Sequence, residues 1–496
     1  MPKNQLPKHI TVSLTENLNA LKEYTGNSAA LAIRQLTVGG VDIATVGGEG
    51  MIAVDQHNKL IAALDRKYEC MYATPQDIAQ FVCQGSLFAN QLFELTTFSK
   101  VLMQMGNGNL ILLIDGYPIA IAMTMPSFAY RSISQPDNEI NERGSKEAFT
   151  EPIRVNMSLI QRRIKSDQLR MEMQECGTVS RTEYCLIWLE DAADPALLEQ
   201  VRQKLKKVKL RQVLNSGYLQ YFLEPKGFHL FPNVGQTERP DTLCAKLDEG
   251  RIGVLVDGNP FVLIVPYLFS ENFQTMDDYC SKPYYATLMR LIKYLAFGLA
   301  VLLPGLYVAI GTFHQELVPH ALLFSIVAAE ETTPFSLMVE ALVIHFLYEI
   351  MREAGLRLPK AIGHAVSIVG ALVIGDVAVS AGLIGTPMVL VVALTAISSF
   401  VVPNLHQPVS LLRFLLIVIG GTSGLYGISL AIAAVAVNAA SMQNGGVPYL
   451  SPISPLNATS LGDTFVRKNT KWLSRHHITI NHLYGSNPPK SDSHKE

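Results

Sequence analysis

Five carboxylates stand in a part of the sequence that is otherwise apolar, and their type and placement suit one chemistry, contact with cations inside a bilayer. Glu330 and Glu331 end an apolar run of about ten residues and are followed by Pro334, while Glu340 and Glu349 lie with His345 in the next run, 335–351. Asp376 and Arg413 are the only formal charges between Ala361 and Leu461. An ionisable side chain at membrane depth costs on the order of 2.5–3.5 kcal/mol by insertion scales, so it is kept for a pathway or for a partner. Short, proline-interrupted apolar pieces are the pattern of a re-entrant or broken helix, with Pro319 and Pro334 as candidate hinges of segment 318–351. The plainer alternatives are a loop outside the bilayer for Glu330 and Glu331, and a bond to a neighbouring helix for Asp376. In a homo-oligomer Asp376 would instead form a ring of carboxylates.

Elsewhere the sequence offers little for catalysis. Asp115-Gly116 and Asp257-Gly258 each join two apolar strands and precede x-Pro, which is hairpin-turn chemistry rather than a catalytic carboxylate. Gly47-Gly48-Glu49-Gly50 lacks the Lys-Ser/Thr of a phosphate-binding loop. No Ser/His/Asp, Cys/His or metal-ligand spacing assembles, so no enzyme, cofactor or metal site is expected. Six cysteines without C-x-x-C pairs fit a reducing compartment. A net charge of -2, from 40 basic and 42 acidic residues, argues against a nucleic-acid partner.

Positioning these residues requires two unlike halves. A mean hydropathy of +0.22 averages a polar first half with an apolar second one. Leu110–Ile121 recurs as Ile252–Ile264, and Leu31–Val46 is echoed by Leu169–Glu190, at an offset of roughly 140 residues. The expected fold is an α+β soluble region of two related α/β subdomains, 31–130 and 169–280, followed by an all-α multi-span membrane domain, 290–440. Segment 1–30 reads as a lead-in, 131–168 as a linker with an amphipathic helix, and 441–496 as a basic cytoplasmic tail. A helical pattern covers Thr74–Phe98. The basic face Arg154–Lys165 is either solvated or faces anionic lipid or a partner domain. The first 27 residues have no apolar signal core, so the soluble half is expected in the cytoplasm.

Tyr294–Phe313 is long enough to cross and is kinked at Pro304-Gly305, with Arg290 and Lys293 marking its cytoplasmic end. Ala361–Leu383 and Met388–Val402 read as a tight hairpin, with small residues on the first arm. Leu411–Val437 is the last run, with Gly420, Gly421 and Gly424 as points where it could bend. The basic tail demands an even number of crossings, whereas simple counting gives five.

Long stretches also match a known family. They include Val308-Ala-Ile-Gly-Thr-Phe-His-Gln-Glu-Leu-Val-Pro319, Arg352-Glu-Ala-Gly-Leu-Arg-Leu-Pro359, Phe231-Pro-Asn-Val-Gly-Gln-Thr-Glu-Arg-Pro-Asp241 and Val256-Asp-Gly-Asn-Pro-Phe261. The chain from Leu31 to Arg475 resembles the A subunit of GerA-type spore germinant receptors, a family that includes a protein of the dipicolinate-channel operon. The resemblance implies a spore inner-membrane protein working with a permease-like B subunit and a lipoprotein C subunit, and oligomerising into a ring that conducts ions when nutrient binds. Glu330 and Asp376 depart from that family's pattern, where a basic residue and Gln are commoner, and both add negative charge. A non-conducting scaffold for the B and C subunits and a secondary transporter are the alternative readings.

Overall fold

The computed structural model describes residues 7–69, 71–84, 91–125, 136, 139, 141, 143–331, 333–357, 377–457, 460–473, 480 and 483. Its first half is one unit built twice. Strands β1 (Leu31–Val38), β2 (Val41–Gly48), β3 (Leu92–Leu95), β4 (Asn109–Ile114) and β5 (Ala120–Thr124) form an antiparallel sheet in the order β1-β2-β4-β5-β3. Strands β6 (Leu169–Cys176), β7 (Thr182–Leu189), β8 (Gly235–Thr237), β9 (Ile252–Val256) and β10 (Val262–Val265) repeat it as β6-β7-β9-β10-β8.

The helices repeat as well. In the first unit α1 (Leu14–Tyr24) and α4 (Phe98–Gly106) cover one sheet face, and α2 (Val54–Tyr68) and α3 (Pro75–Gln84) cover the other. Their counterparts are α5 (Ile153–Arg163) and α8 (Pro240–Asp248), against α6 (Pro195–Lys206) and α7 (Ser216–Leu223). Both faces are buried, so β4 and β9 are continuous apolar runs: Ile111 and Leu113 serve one core and Leu110, Leu112 and Ile114 the other.

Two sequence expectations change here. Segment 1–30 supplies α1, whose Leu14, Leu18 and Leu21 lie in the first core, and segment 131–168 supplies α5, with Ile153, Met157 and Ile160 in the second. Thr74–Phe98 is not one helix, because β3 pairs with β5 and separates α3 from α4.

The second half is helical. After α9 (Met276–Cys280) come α10 (Pro283–Phe313), α11 (His320–Glu330), α12 (Leu337–Arg357), α13 (Thr386–Phe400) and α14 (His406–Ser441). Among the described residues two stretches are long and apolar enough to cross a membrane, Pro283–Phe313 and Pro403–Ser441, whose apolar 18-residue windows reach mean hydropathy 2.0 and 1.9.

The last run reverses direction. Gly424 has φ 61 and ψ −153, a conformation open essentially to glycine alone, and it breaks α14 into legs 406–423 and 425–441. A Cβ at Gly427 would lie 2.8 Å from Ile419 Cγ2, which is impossible for residues eight apart on one straight helix. The ends agree: Leu405 and Ala439 share one cluster with Phe231 of the second subdomain. A straight helix of that length would hold them roughly 50 Å apart.

Neighbouring contacts fix the direction of the other helices. Ala300 of α10 meets Arg413, and Gly305 meets Leu416 and Gly420, so α10 and the first leg of α14 run side by side away from the soluble region. Helix α12 runs back, since Met338 lies against Gly421 and Glu349 against Arg413. Helix α13 also runs back, from Gly385 beside Glu340 to Ser399 beside Tyr348.

Candidate functional site

Glu340 and Glu349, the two acids of α12 that the sequence singled out, hold helices together. Glu340 is buried, and its Oε1 accepts the Gly385 N–H at 2.7 Å, at the start of α13. A carboxylate there satisfies a free amide and faces the positive end of the helix dipole. Glu349 Oε1 accepts Ser410 Oγ–H at 2.6 Å and lies 3.4 Å from Arg413 Nη1; its Oε2 accepts Arg352 Nε–H at 3.0 Å. His406 Nε2 stands 3.7 Å from the same oxygen. Both oxygens of Glu349 are therefore committed to α12 and α14.

Arg413 is fully buried. Its Nε–H donates to the Ala300 carbonyl at 3.2 Å, and its guanidinium lies 5.6 Å from the Tyr348 ring centroid. The Ala300 carbonyl is available because Pro304, four residues on, has no N–H to give it. One cation thus fills the vacancy left by the proline and answers Glu349 on α12, locking three helices at the level of Pro304. The sequence signal was an arginine in an uncharged stretch and a proline inside a helix, but nothing in the spacing linked positions 300 and 413.

The remaining candidates do not join this cluster. Glu331 is exposed, at the end of α11. Pro319 caps the start of α11, and Pro334 lies in the connection to α12. The side chain of Glu330 and the whole of Asp376 lie outside the described residues, as does the first arm of the expected hairpin up to that position.

At the other end of α10, charges join the two halves of the chain. The buried Arg290 donates Nε–H to Asp278 Oδ2 at 2.8 Å and Nη1–H to Asp463 Oδ1 at 3.0 Å. Tyr279 donates its hydroxyl to Asp463 Oδ2 at 2.8 Å. Residue 463 belongs to the segment read as a basic tail, which here packs on the soluble region. Asn444 of the same segment accepts from Lys204 Nζ at 3.0 Å and donates to the Leu223 carbonyl at 3.2 Å, and Val447 completes the core beneath α6 and α7. Beside this junction Phe231, Phe269 and Phe273 pack on Tyr294, Phe297 and Tyr449, with Phe273 and Tyr294 stacked at 3.9 Å.

A cavity of about 580 Å³ opens at the junction, lined among others by Glu139, Arg251, Tyr267, Glu271, Asn404 and Asp463. Burial pushes the Glu139 carboxyl up to about 7, against the lowering effect of the Thr237 hydroxyl and the Glu238 N–H that it accepts at 2.6 and 3.2 Å.

The soluble half carries turns and ion pairs where the sequence was ambiguous. Gly116 and Gly258 have φ 80 and 78, as an Asp-Gly hairpin requires. The two aspartates also tie in a helix each. Asp115 Oδ1 accepts the Leu14 N–H at 2.8 Å and Asp257 Oδ1 the Ile153 N–H at 3.1 Å, in both cases at the first residue of the unit's leading helix. Glu49 faces Arg154 at 3.5 Å. Arg154 also pairs with Glu183, and Arg162 and Arg163 pair with Glu147, so the three arginines of the basic face, open in the sequence to solvent, lipid or a partner domain, are answered within the soluble region. No group of His, Cys, Asp and Glu that could hold a metal occurs among the described residues.

Paired three-layer α/β units, clamped by the chain's own last segment onto helices of membrane-crossing length, define a membrane-associated protein with a large folded soluble region. A sequence model described as Bacillus/Clostridium GerA spore germination protein matches residues 19–478, and the chain belongs to that family. It is 37% identical over 473 residues to spore germination protein KA of Bacillus subtilis (strain 168), covering 94% of this chain and 86% of that relative. It is 36% identical over 493 residues to the uncharacterized membrane protein YfkQ of the same organism, covering 98% and 95%. The crystal structure of the N-terminal domain of the A subunit of the Bacillus megaterium spore germinant receptor GerK3 aligns with 53% of this chain and 98% of that one, at 26% identity and a TM-score of 0.43.

Proposed function

We propose that this chain is the A-type membrane subunit of a spore germinant receptor in the spore inner membrane. In this reading the paired α/β subdomains lie on the cytoplasmic side, and several copies surround an ion pathway that opens when a permease-like partner senses nutrient. A lipoprotein subunit completes the assembly, and the role is gating and conduction, not catalysis.

The observation that carries the proposal is the continuity of α10. Its 31 residues, Pro283–Phe313, run past Arg290, locked to Asp278 and Asp463 under the soluble region, and Ala300, held by Arg413, to Phe313 beside the Gly424 reversal. Movement of the soluble region therefore has a rigid lever into the helices. The reversal also supports a topology that closes. Each leg of α14 spans roughly 25 Å, close to the thickness of a hydrocarbon core. Helix α10 leaves the soluble side, α12 returns, Arg357 and Gly385 stand at opposite ends of the helices, α13 returns, and α14 goes out and back. That even count brings the tail home to the soluble side.

With Glu340 and Glu349 engaged in helix contacts, the pathway acids of this reading are Glu330, Glu331 and Asp376. The test is ion flux from liposomes holding the full chain and its Glu330→Gln, Glu331→Gln, Asp376→Asn and Glu349→Gln variants. Altered cation selectivity is expected for one or more of the first three. Flux absent from every protein, with the chain monomeric in nanodiscs, would leave the scaffold reading instead.

A further inference from the structure

The second subdomain carries a turn whose exposed face has no partner among the described residues. Pro225-Lys226-Gly227-Phe228-His229 follows α7, and Phe228 is 76% exposed at its tip. The turn does not project freely into solvent. The Phe228 carbonyl accepts Asn438 Nδ2–H at 2.9 Å, and Asn438 Oδ1 accepts the Leu230 N–H at 3.2 Å. Asn438 belongs to the last turn of the returning leg of α14, so the Phe228 backbone is pinned alongside an apolar helix.

Aromatic packing gives the level of the turn independently. The Phe231 ring lies 6.4 Å from Phe297, which is one helical turn inside the apolar run that begins at Tyr294. Val437, next to Asn438, is 69% exposed and continues the same apolar surface. Lys226, at the tip, is exposed and is the cation of the turn. An aromatic side chain with a lysine two residues away, held at the first turn of a membrane helix, is the composition that settles at a headgroup boundary.

We propose that turn 225–229 is immersed in the interfacial layer of the same bilayer that α10 and α14 cross, with Phe228 anchored among the upper acyl chains and Lys226 against lipid phosphate. The partner is thus the lipid surface itself, and the second subdomain rests on it instead of standing clear. This rests on the reading of α10 and α14 as membrane helices, and the experiment separates the two. In a Trp188→Phe, Trp472→Phe background, three single-tryptophan proteins are reconstituted as full chains in vesicles containing phosphatidylcholine with brominated acyl chains. Phe228→Trp reports the turn, Leu430→Trp the middle of the returning leg, and Tyr72→Trp a site that is 99% exposed on the first subdomain. The expected result is a blue-shifted, bromine-quenched emission for Phe228→Trp and Leu430→Trp, with Tyr72→Trp unquenched. Quenching of Leu430→Trp without quenching of Phe228→Trp overturns the proposal, whether the unquenched emission is red, showing water, or blue, showing cover by a second copy. Loss of quenching at both positions would overturn the membrane reading beneath it.

Discussion

Arg413 Nε–H donates to the carbonyl of Ala300 at 3.2 Å, across two helices that the chain separates by more than a hundred residues. The acceptor is free only because Pro304 follows four residues later, so the proline and the arginine are two parts of one joint.

Breaking that joint leaves a carbonyl unanswered and Glu349 with one cation fewer. Arg413→Leu should lower stability in detergent by on the order of 3–5 kcal/mol, the range for removing one member of a buried pair. Combining it with Glu349→Gln should cost less than the sum of the two changes, because the acid is then no longer ionised. Thermal unfolding of the four proteins of the cycle measures the coupling, and additive effects would refute it.

The reversal at Gly424 can be tested by one methyl group. Gly424→Ala forces a side chain into a glycine-only conformation, at on the order of 1–3 kcal/mol, and places its Cβ 2.9 Å from His314 Cε1. Gly355→Ala, with nothing within 4 Å of its Cβ, should be neutral or slightly stabilising. The comparison is a thermal midpoint in detergent for both proteins.

Asp115 and Asp257 should behave as helix-end acceptors. Asp115→Ala and Asp257→Ala are each expected to lower stability by about 1 kcal/mol, and the Asn variants, which keep an oxygen acceptor, by less. Chemical denaturation gives the values, and equal losses for Ala and Asn would contradict the assignment.

Glu139 predicts a pH dependence. Its folded carboxyl titrates at about 7 instead of the usual 4.5, so between those values the folded state holds a proton that the unfolded state has lost. Stability contributed by this group is therefore present at low pH and falls as pH rises through that window. Glu139→Gln should flatten the fall. A thermal midpoint followed from pH 5 to pH 8 shows it, and parallel profiles for the two proteins would refute it.

The repeat was legible because its turns are local: Asp-Gly-x-Pro sets a hairpin without help from distant chain, and strands buried on both faces announce themselves as apolar runs. The leading helices α1 and α5 were missed as members of the units, since what ties them in is a carboxylate about a hundred residues away. The acids of the membrane half were visible as anomalies, but their partners were not. Glu340 finds a backbone amide and Glu349 finds Arg413, contacts that only three-dimensional helix order specifies. The reversal within Leu411–Val437 was not read from the sequence, although Gly424 stood among the glycines flagged there as points where the run could bend.

Asn444 reaches Lys204 and Leu223 across more than two hundred residues, and Val447 seals the core beside them. During synthesis the second subdomain emerges long before that plug exists, so its base stays open while the helices are being threaded. The unit is finished only by chain that follows all of the long helices, and a product truncated before Asn444 would lack Val447 in that core.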